Sequence, residues 1–322
     1  RCADVSGVQT CALPIFHLSW VFLGASMAAV LYAPAFALLT RRFKRDFRRA
    51  IIAMTFLGGL ASTVFIPLIA WLVHLHGWRV TLLVLAALHL LLCAPLHHRF
   101  LRGAPQPDVQ GGHSRTEHSA AQLRDIRQLV RGRPFKLIGV FTVIMMSITV
   151  AIPAHLVPML SERGLPLLWV VALPATIGLT QVLGRVFLYF FEARMNLDRV
   201  NRTVPLLIPA GLLVLLVTPA SWQLAGVAAF VVLYGLGNGL LTIVRGTVVA
   251  QYVSQTHAAS LNGALGVPLA VARALAPLLL GLGWSEHAGY TWGIGVMLGL
   301  AVLAVLALRS AQRHASLAAG VR

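Results

Sequence analysis

The stretch RRFKRDFRRAIIAMTFLGGLASTVFIPLIAWLVHLHGWRVTLLVLAALHLLLCAPLHHRF, residues 41–100, decides the fold class. It opens on six basic residues and one acid, Asp46, between Arg41 and Arg49. An uncharged apolar run, 50–73, comes next. The short HLHGW carries no Asp, Glu, Lys or Arg, and a second apolar run, 79–96, leads back to His97, His98 and Arg99. A helix needs about 20 mostly apolar residues to cross the hydrocarbon layer of a bilayer. Lipid supplies no water to the backbone, so each N–H and C=O has to bond within its own segment, and each run is expected to be a helix. Basic residues cluster at one end of the pair, with Arg79 alone at the other, and the clustered end is expected to face the cytoplasm.

The pattern extends both ways. Runs at 18–39, 136–160, 165–191, 204–219, 224–250, 258–282 and 290–308 join the two above, so nine spans are expected. The gaps alternate. The long segment 97–135 is strongly basic, and the segment after residue 191 carries Glu192, Arg194, Asp198, Arg199 and Arg202. By contrast, 161–164 holds only Glu162 and Arg163, 220–223 is uncharged, and the gap before the last span holds Glu286 alone. The polar gap 251–257 and a tail with Arg309, Arg313 and Arg322 complete the series. Alternate gaps and the C-terminus are therefore expected in the cytoplasm, as in a multi-pass protein of a bacterial inner membrane.

Bulk composition agrees. Of 322 residues, 58% are hydrophobic and 11% charged, and mean hydropathy is +0.82. A soluble domain has no interior large enough for that apolar content. The net charge of +17 would suggest nucleic acid in a soluble chain. Here the basic blocks lie between spans, where topology and anionic headgroups account for them, so no nucleic-acid partner is expected. Cys2, Cys11 and Cys93 make no metal spacing or disulfide pattern, so no metal or cofactor is expected. No Ser/His/Asp set or paired carboxylates point to catalysis, and the chain is not read as an enzyme.

Spans and gaps together divide the chain. Residues 7–15, GVQTCALPI, resemble the translation of a sequencing adapter, and 1–15 are set aside as foreign to the fold. Residues 16–96 are expected to form a partial N-terminal half of three transmembrane helices. Residues 97–135 form a cytoplasmic linker, 136–308 a C-terminal half of six helices, and 309–322 a tail. Within the linker, Leu123, Ile126 and Leu129 or Val130 recur at helical spacing while Arg124, Arg127 and Arg131 fill another face. This is a basic amphipathic helix suited to the inner membrane surface.

The division into halves, with four local patterns, resembles the major facilitator superfamily. The patterns are RRFKRDFRR at 41–49, Gly77-Trp78-Arg79, the run Gly235-Leu236-Gly237-Asn238-Gly239 leading to Arg245-Gly246, and Ala272-Arg273-Ala274-Leu275-Ala276-Pro277. The resemblance implies an all-α helical bundle of two halves, with the nine spans matching the family's helices 4 to 12. It implies a secondary transporter working by alternating access, a permease for a small solute, coupled to H+ or Na+ and monomeric. Monocarboxylate-type carriers of the family place an Asp and an Arg four residues apart in the eighth helix. Here the matching positions are Gln181 and Arg185, so the acid is absent. The Gly-Pro pattern of drug/proton antiporters is also absent from the second span, which has Gly58-Gly59 and, later, Pro67.

No Asp or Glu lies inside any expected span, and proton relays usually need a buried acid or histidine. Arg273, mid-span, is the pointed residue: a fixed guanidinium there can grip a carboxylate in a two-pronged geometry, or it can serve a polar group on a neighbouring helix. Asn238, Arg185 and Gln181 are further substrate-binding candidates. Arg245 and Arg79 are candidates for gating or topology, because side chains near helix ends reach the interface. His155, between Pro153 and Pro158, is the candidate for proton coupling, or an ordinary hydrogen-bonded interior histidine. The expected cargo is a small organic anion. The alternatives are efflux of hydrophobic or cationic compounds, and a non-transporting membrane sensor or non-functional fragment.

Overall fold

The computed structural model describes residues 3–30, 32–43, 46–102, 114–191 and 194–320. Apolar runs without internal charge become helices. The described residues are helical apart from turns and one bridge between Ser285 and Gly289. In chain order the helices are α1 (Ala3–Val30), α2 (Tyr32–Arg42), α3 (Phe47–Leu88), α4 (Ala94–Leu101), α5 (Ser114–Arg131), α6 (Arg133–Glu162) and α7 (Leu167–Phe191). They continue as α8 (Leu197–Thr203), α9 (Leu207–Val217), α10 (Gln223–Tyr252), α11 (Ala258–Ala264), α12 (Gly266–Leu282) and α13 (Thr291–Gly320).

The turn expected at Gly-Trp-Arg is present inside α3. Gly77 has φ 73° and ψ 168°, which divides α3 into two helices across a kink. That backbone region is open to glycine alone, because a Cβ would meet the flanking carbonyl. The Thr81 hydroxyl donates to the Gly77 carbonyl at 2.8 Å, across the first turn after the break. The second helix runs through a π-helical turn, His89–Cys93, into α4. At the start of the chain, α1 runs without a break from residue 3 past residue 15 to Val30, so no helix end marks off residues 3–15.

Eight stretches among the described residues are long and apolar enough to cross a membrane: Leu13–Thr40, Trp71–Arg99, Arg133–Glu162, Leu167–Phe191, Leu197–Val217, Ala220–Tyr252, Ala258–Leu282 and Thr291–Ala315. They correspond to eight of the nine expected spans. The ninth expectation, 50–73, falls on the first part of α3, where several side chains lie outside the described ones. Pro153 and Pro158 sit inside α6, and Pro205 lies in a 3-10 turn before α9.

One continuous core gathers the buried residues of α6, α7, α9, α10, α12 and α13. α6 packs on α12 and α13, and α10 packs on α7 and α9. The N-terminal elements join it through α3 on α7 and α10, α2 on α11, and Phe36 of α2 against Gly246 of α10. In α3, Ile51, Ile52, Thr55 and Gly59 are buried at helical spacing, so one stripe of this helix faces the C-terminal half. Polar clasps close both ends of that half. At one end Asp198 accepts hydrogen bonds from Gln251 (2.8 Å) and the Tyr252 hydroxyl (2.7 Å), while Asn201 donates to Gln251 (2.9 Å). At the other, Arg163 donates to the Leu215 carbonyl at 2.9 Å, and Gln223 donates to the Arg163 carbonyl at 2.6 Å. Burial pushes the Arg163 guanidinium below its ordinary pKa.

Candidate functional site

The site is built on α10. Its glycine run is a packing device. A Cβ on Gly239 would stand 2.5 Å from the Gln181 carbonyl oxygen, and one on Gly237 would stand 3.0 Å from Leu207 and Ile208. Gly235 meets Thr180 and the Ile177 carbonyl in the same way. Small residues let helices approach to backbone contact, and dispersion then holds them together in lipid. The run therefore seats α10 between α7 and α9.

With those faces filled, the rest of α10 is nearly all buried from Gly237 to Ala250. The partly exposed positions in that stretch are Asn238, Thr242 and Arg245. They stand at i, i+4 and i+7, one stripe along the helix. A polar stripe left partly open on an otherwise apolar, buried helix is costly against lipid. Thr242 was missed by reading residues singly, although its spacing from Asn238 and Arg245 was visible. Its hydroxyl donates to the Gly239 carbonyl at 2.7 Å. The Asn238 and Gln181 side-chain amides make no hydrogen bond with a described residue.

Arg185 is placed differently from the other candidates. It is 6% exposed, and its Nε donates to the Gly239 carbonyl at 3.2 Å. Its guanidinium lies over Gly59 of α3, where a Cβ would collide with Nη1. The neighbouring Gly58 makes room for Tyr32 of α2, whose hydroxyl would be 3.0 Å from a Cβ there. The Gly58-Gly59 pair, seen in the sequence only as a departure from another pattern, is thus the seat in which α2 and α7 meet α3. The stacked pair Phe56 and Tyr189 (5.5 Å between centroids) continues the same contact. Farther along, Arg48 Nη2 donates to the Met195 carbonyl at 2.8 Å.

Arg245 and Arg273 stand close enough for their charges to act on each other. Arg273 is exposed, at the edge of the buried stripe Leu269, Ala276 and Leu280 of α12. Neither Arg245 nor Arg273 has a hydrogen bond or ion pair with a described residue, and Arg185 has no carboxylate partner among them. The three guanidiniums on α7, α10 and α12 have no carboxylate partner among the described residues.

His155 joins α6 to α12 and to the start of α13. Its Nε2 lies 2.9 Å from the Pro277 carbonyl, and its Nδ1 lies 3.1 Å from the Tyr290 hydroxyl. A carbonyl can only accept, so Nε2 carries the proton, and in the neutral ring Nδ1 accepts from Tyr290. Both ring nitrogens are satisfied, as in the interior-histidine reading. Arg79 lies apart from the cluster, exposed, with its guanidinium 4.7 Å from the Trp78 ring centroid. No group of three or more potential metal ligands occurs among the described residues.

The family model described as Major Facilitator Superfamily matches residues 7–277 of the chain. No curated protein and no solved structure matches it.

Proposed function

Because the chain belongs to the major facilitator superfamily and is a multi-pass membrane transporter of that family, we propose that it carries a small organic anion across a bacterial inner membrane by alternating access, with its C-terminus in the cytoplasm. The observation that carries this reading is the group of three guanidiniums, Arg185, Arg245 and Arg273, on helices that contain no carboxylate. A charge inside a membrane helix is costly and stays where a cavity or a counter-ion offsets the cost. A bound carboxylate would supply that counter-ion. Arg273 is assigned as the anchor because it is exposed and can close a bidentate pair. Asn238, Thr242 and Gln181 are assigned as neutral hydrogen-bonding groups for the same solute. Arg185, held between Gly59 and Gly239, positions the two halves against each other instead of gripping the anion.

Purified protein in detergent should be stabilised against heat by some members of a panel of mono- and dicarboxylates. With Arg273→Lys the same compounds should bind at least about tenfold more weakly, because an ammonium does not reproduce the planar fork. The anchor role is lost if any carboxylate stabilises the lysine variant and the parent equally. A panel in which only lipophilic cations stabilise would favour the efflux reading.

We assign proton coupling to His155, since it is a histidine inside a span whose ring bridges α6 to Pro277 of α12 and to Tyr290. Protonation would turn Nδ1 from acceptor into donor and force the Tyr290 hydroxyl to reorient. In proteoliposomes, His155→Gln should abolish the acceleration of anion uptake by an inward proton gradient, while counterflow without a gradient persists. Gradient-driven uptake equal to that of the parent would leave His155 structural.

A further inference from the structure

We propose that α5 and the first turn of α6 form a binding surface for the headgroups of anionic phospholipids. On α5, Arg124, Arg127 and Arg131 are all exposed. At about 100° per residue their spacing puts them within roughly 60° of one another around the helix. Arg133 and Lys136, both exposed, prolong the basic surface onto α6. None of these five side chains forms an ion pair or hydrogen bond with a described residue. Asp125 stands roughly 100–160° round the helix from the three arginines.

The apolar side of α5 shows how the surface is held. Leu129 and Val130 pack against the core, and α5 rests on α6 and α11. Leu123, one turn or more from that dock, is 64% exposed. Gly132, in extended conformation (φ −62°, ψ 145°), turns the chain from α5 directly into the membrane-crossing α6. Arg131 therefore stands at the level where α6 enters the bilayer. An exposed leucine beside a row of unpaired arginines at that level fits the boundary between acyl chains and phosphates. Charge complementarity selects phosphatidylglycerol-type headgroups over zwitterionic ones.

The test uses the full chain with Cys2, Cys11 and Cys93 replaced by serine and a fluorophore on Leu123→Cys. It is reconstituted in vesicles carrying nitroxide-labelled phosphatidylglycerol or, separately, nitroxide-labelled phosphatidylcholine at equal mole fraction. The phosphatidylglycerol probe should be enriched beside the label by about fivefold or more. Arg124→Gln, Arg127→Gln and Arg131→Gln together should equalise the two probes. The corresponding three lysine substitutions should preserve the preference and show that the glutamine variant lost charge and not fold. Equal quenching in the parent overturns the proposal, as does a preference that survives the glutamines. Loss of the preference on adding inorganic phosphate, but not chloride at matched ionic strength, would assign the stripe to free phosphate and also overturn it.

Discussion

Gly239→Ala is expected to destabilise the purified protein more than alanine at any other glycine of α10. The added Cβ would lie 2.5 Å from the oxygen, 2.7 Å from the Cα and 3.0 Å from the carbonyl carbon of Gln181. All three are backbone atoms inside a helix, so no rotamer change relieves the contact and α7 has to move from α10. The two helices are packed against each other through Gly184 as well, where Leu236 and Leu240 close within 3.3–3.5 Å. Overpacking of this kind costs about 1–3 kcal/mol, and a rigid backbone contact lies at the upper end. A loss of roughly 3–5 °C in melting temperature is expected in detergent. Gly178→Ala on α7 is the control. Nothing lies within 4 Å of its Cβ position, and helix propensity favours alanine there by up to about 1 kcal/mol. Equal melting temperatures for the two variants would show that α7 and α10 are not in backbone contact.

Gly59→Val should act on the join between halves and leave each half folded. The valine side chain would occupy the place of the Arg185 guanidinium, with Cδ and Cζ of that residue both 3.2 Å from the Cβ alone. Arg185 is 6% exposed and its Nε is bonded to Gly239, so leaving the seat breaks a charge-assisted hydrogen bond and strands a charge in an apolar surrounding. Arg185→Ala removes the colliding group. The double variant should therefore be more stable than the sum of the two single changes requires, by about 1–3 kcal/mol. A strictly additive cycle would mean that Gly59 and Arg185 do not touch. The readout is the melting temperature of all four proteins. It is independent of transport, so it tests the geometry without assuming a substrate.

These two glycines mark the boundary of what is legible in the sequence. The close-approach role of Gly235, Gly237 and Gly239 was legible, because three glycines in one apolar span have few other uses in lipid. Which backbone each one meets was not. Gly59 gave no signal of its own, since its partner lies on a helix far along the chain. Arg185 was visible as a charge in a span and was read as a substrate or gating candidate. Its burial over Gly59 depends on how α3 and α7 are rotated about their axes. Thr242 was overlooked because a threonine in an apolar helix carries no signal until its neighbours at Asn238 and Arg245 are seen to share its open face. His155 carried two readings, and its two hydrogen bonds come from Pro277 and Tyr290, more than a hundred residues away.

The sequence by itself determined the membrane-spanning helices, the turn at Gly77 and the absence of any carboxylate from the interior of the spans. Each is a local property. Span length depends on how many consecutive apolar residues a bilayer needs, and the turn on a glycine whose φ of 73° no other residue adopts cheaply. The tertiary structure alone decided which polar groups meet. The seat of Arg185 and the bridge at His155 depend on helix rotation and crossing. Those are set by close packing between residues distant in the chain, to which no local pattern of hydropathy or charge responds.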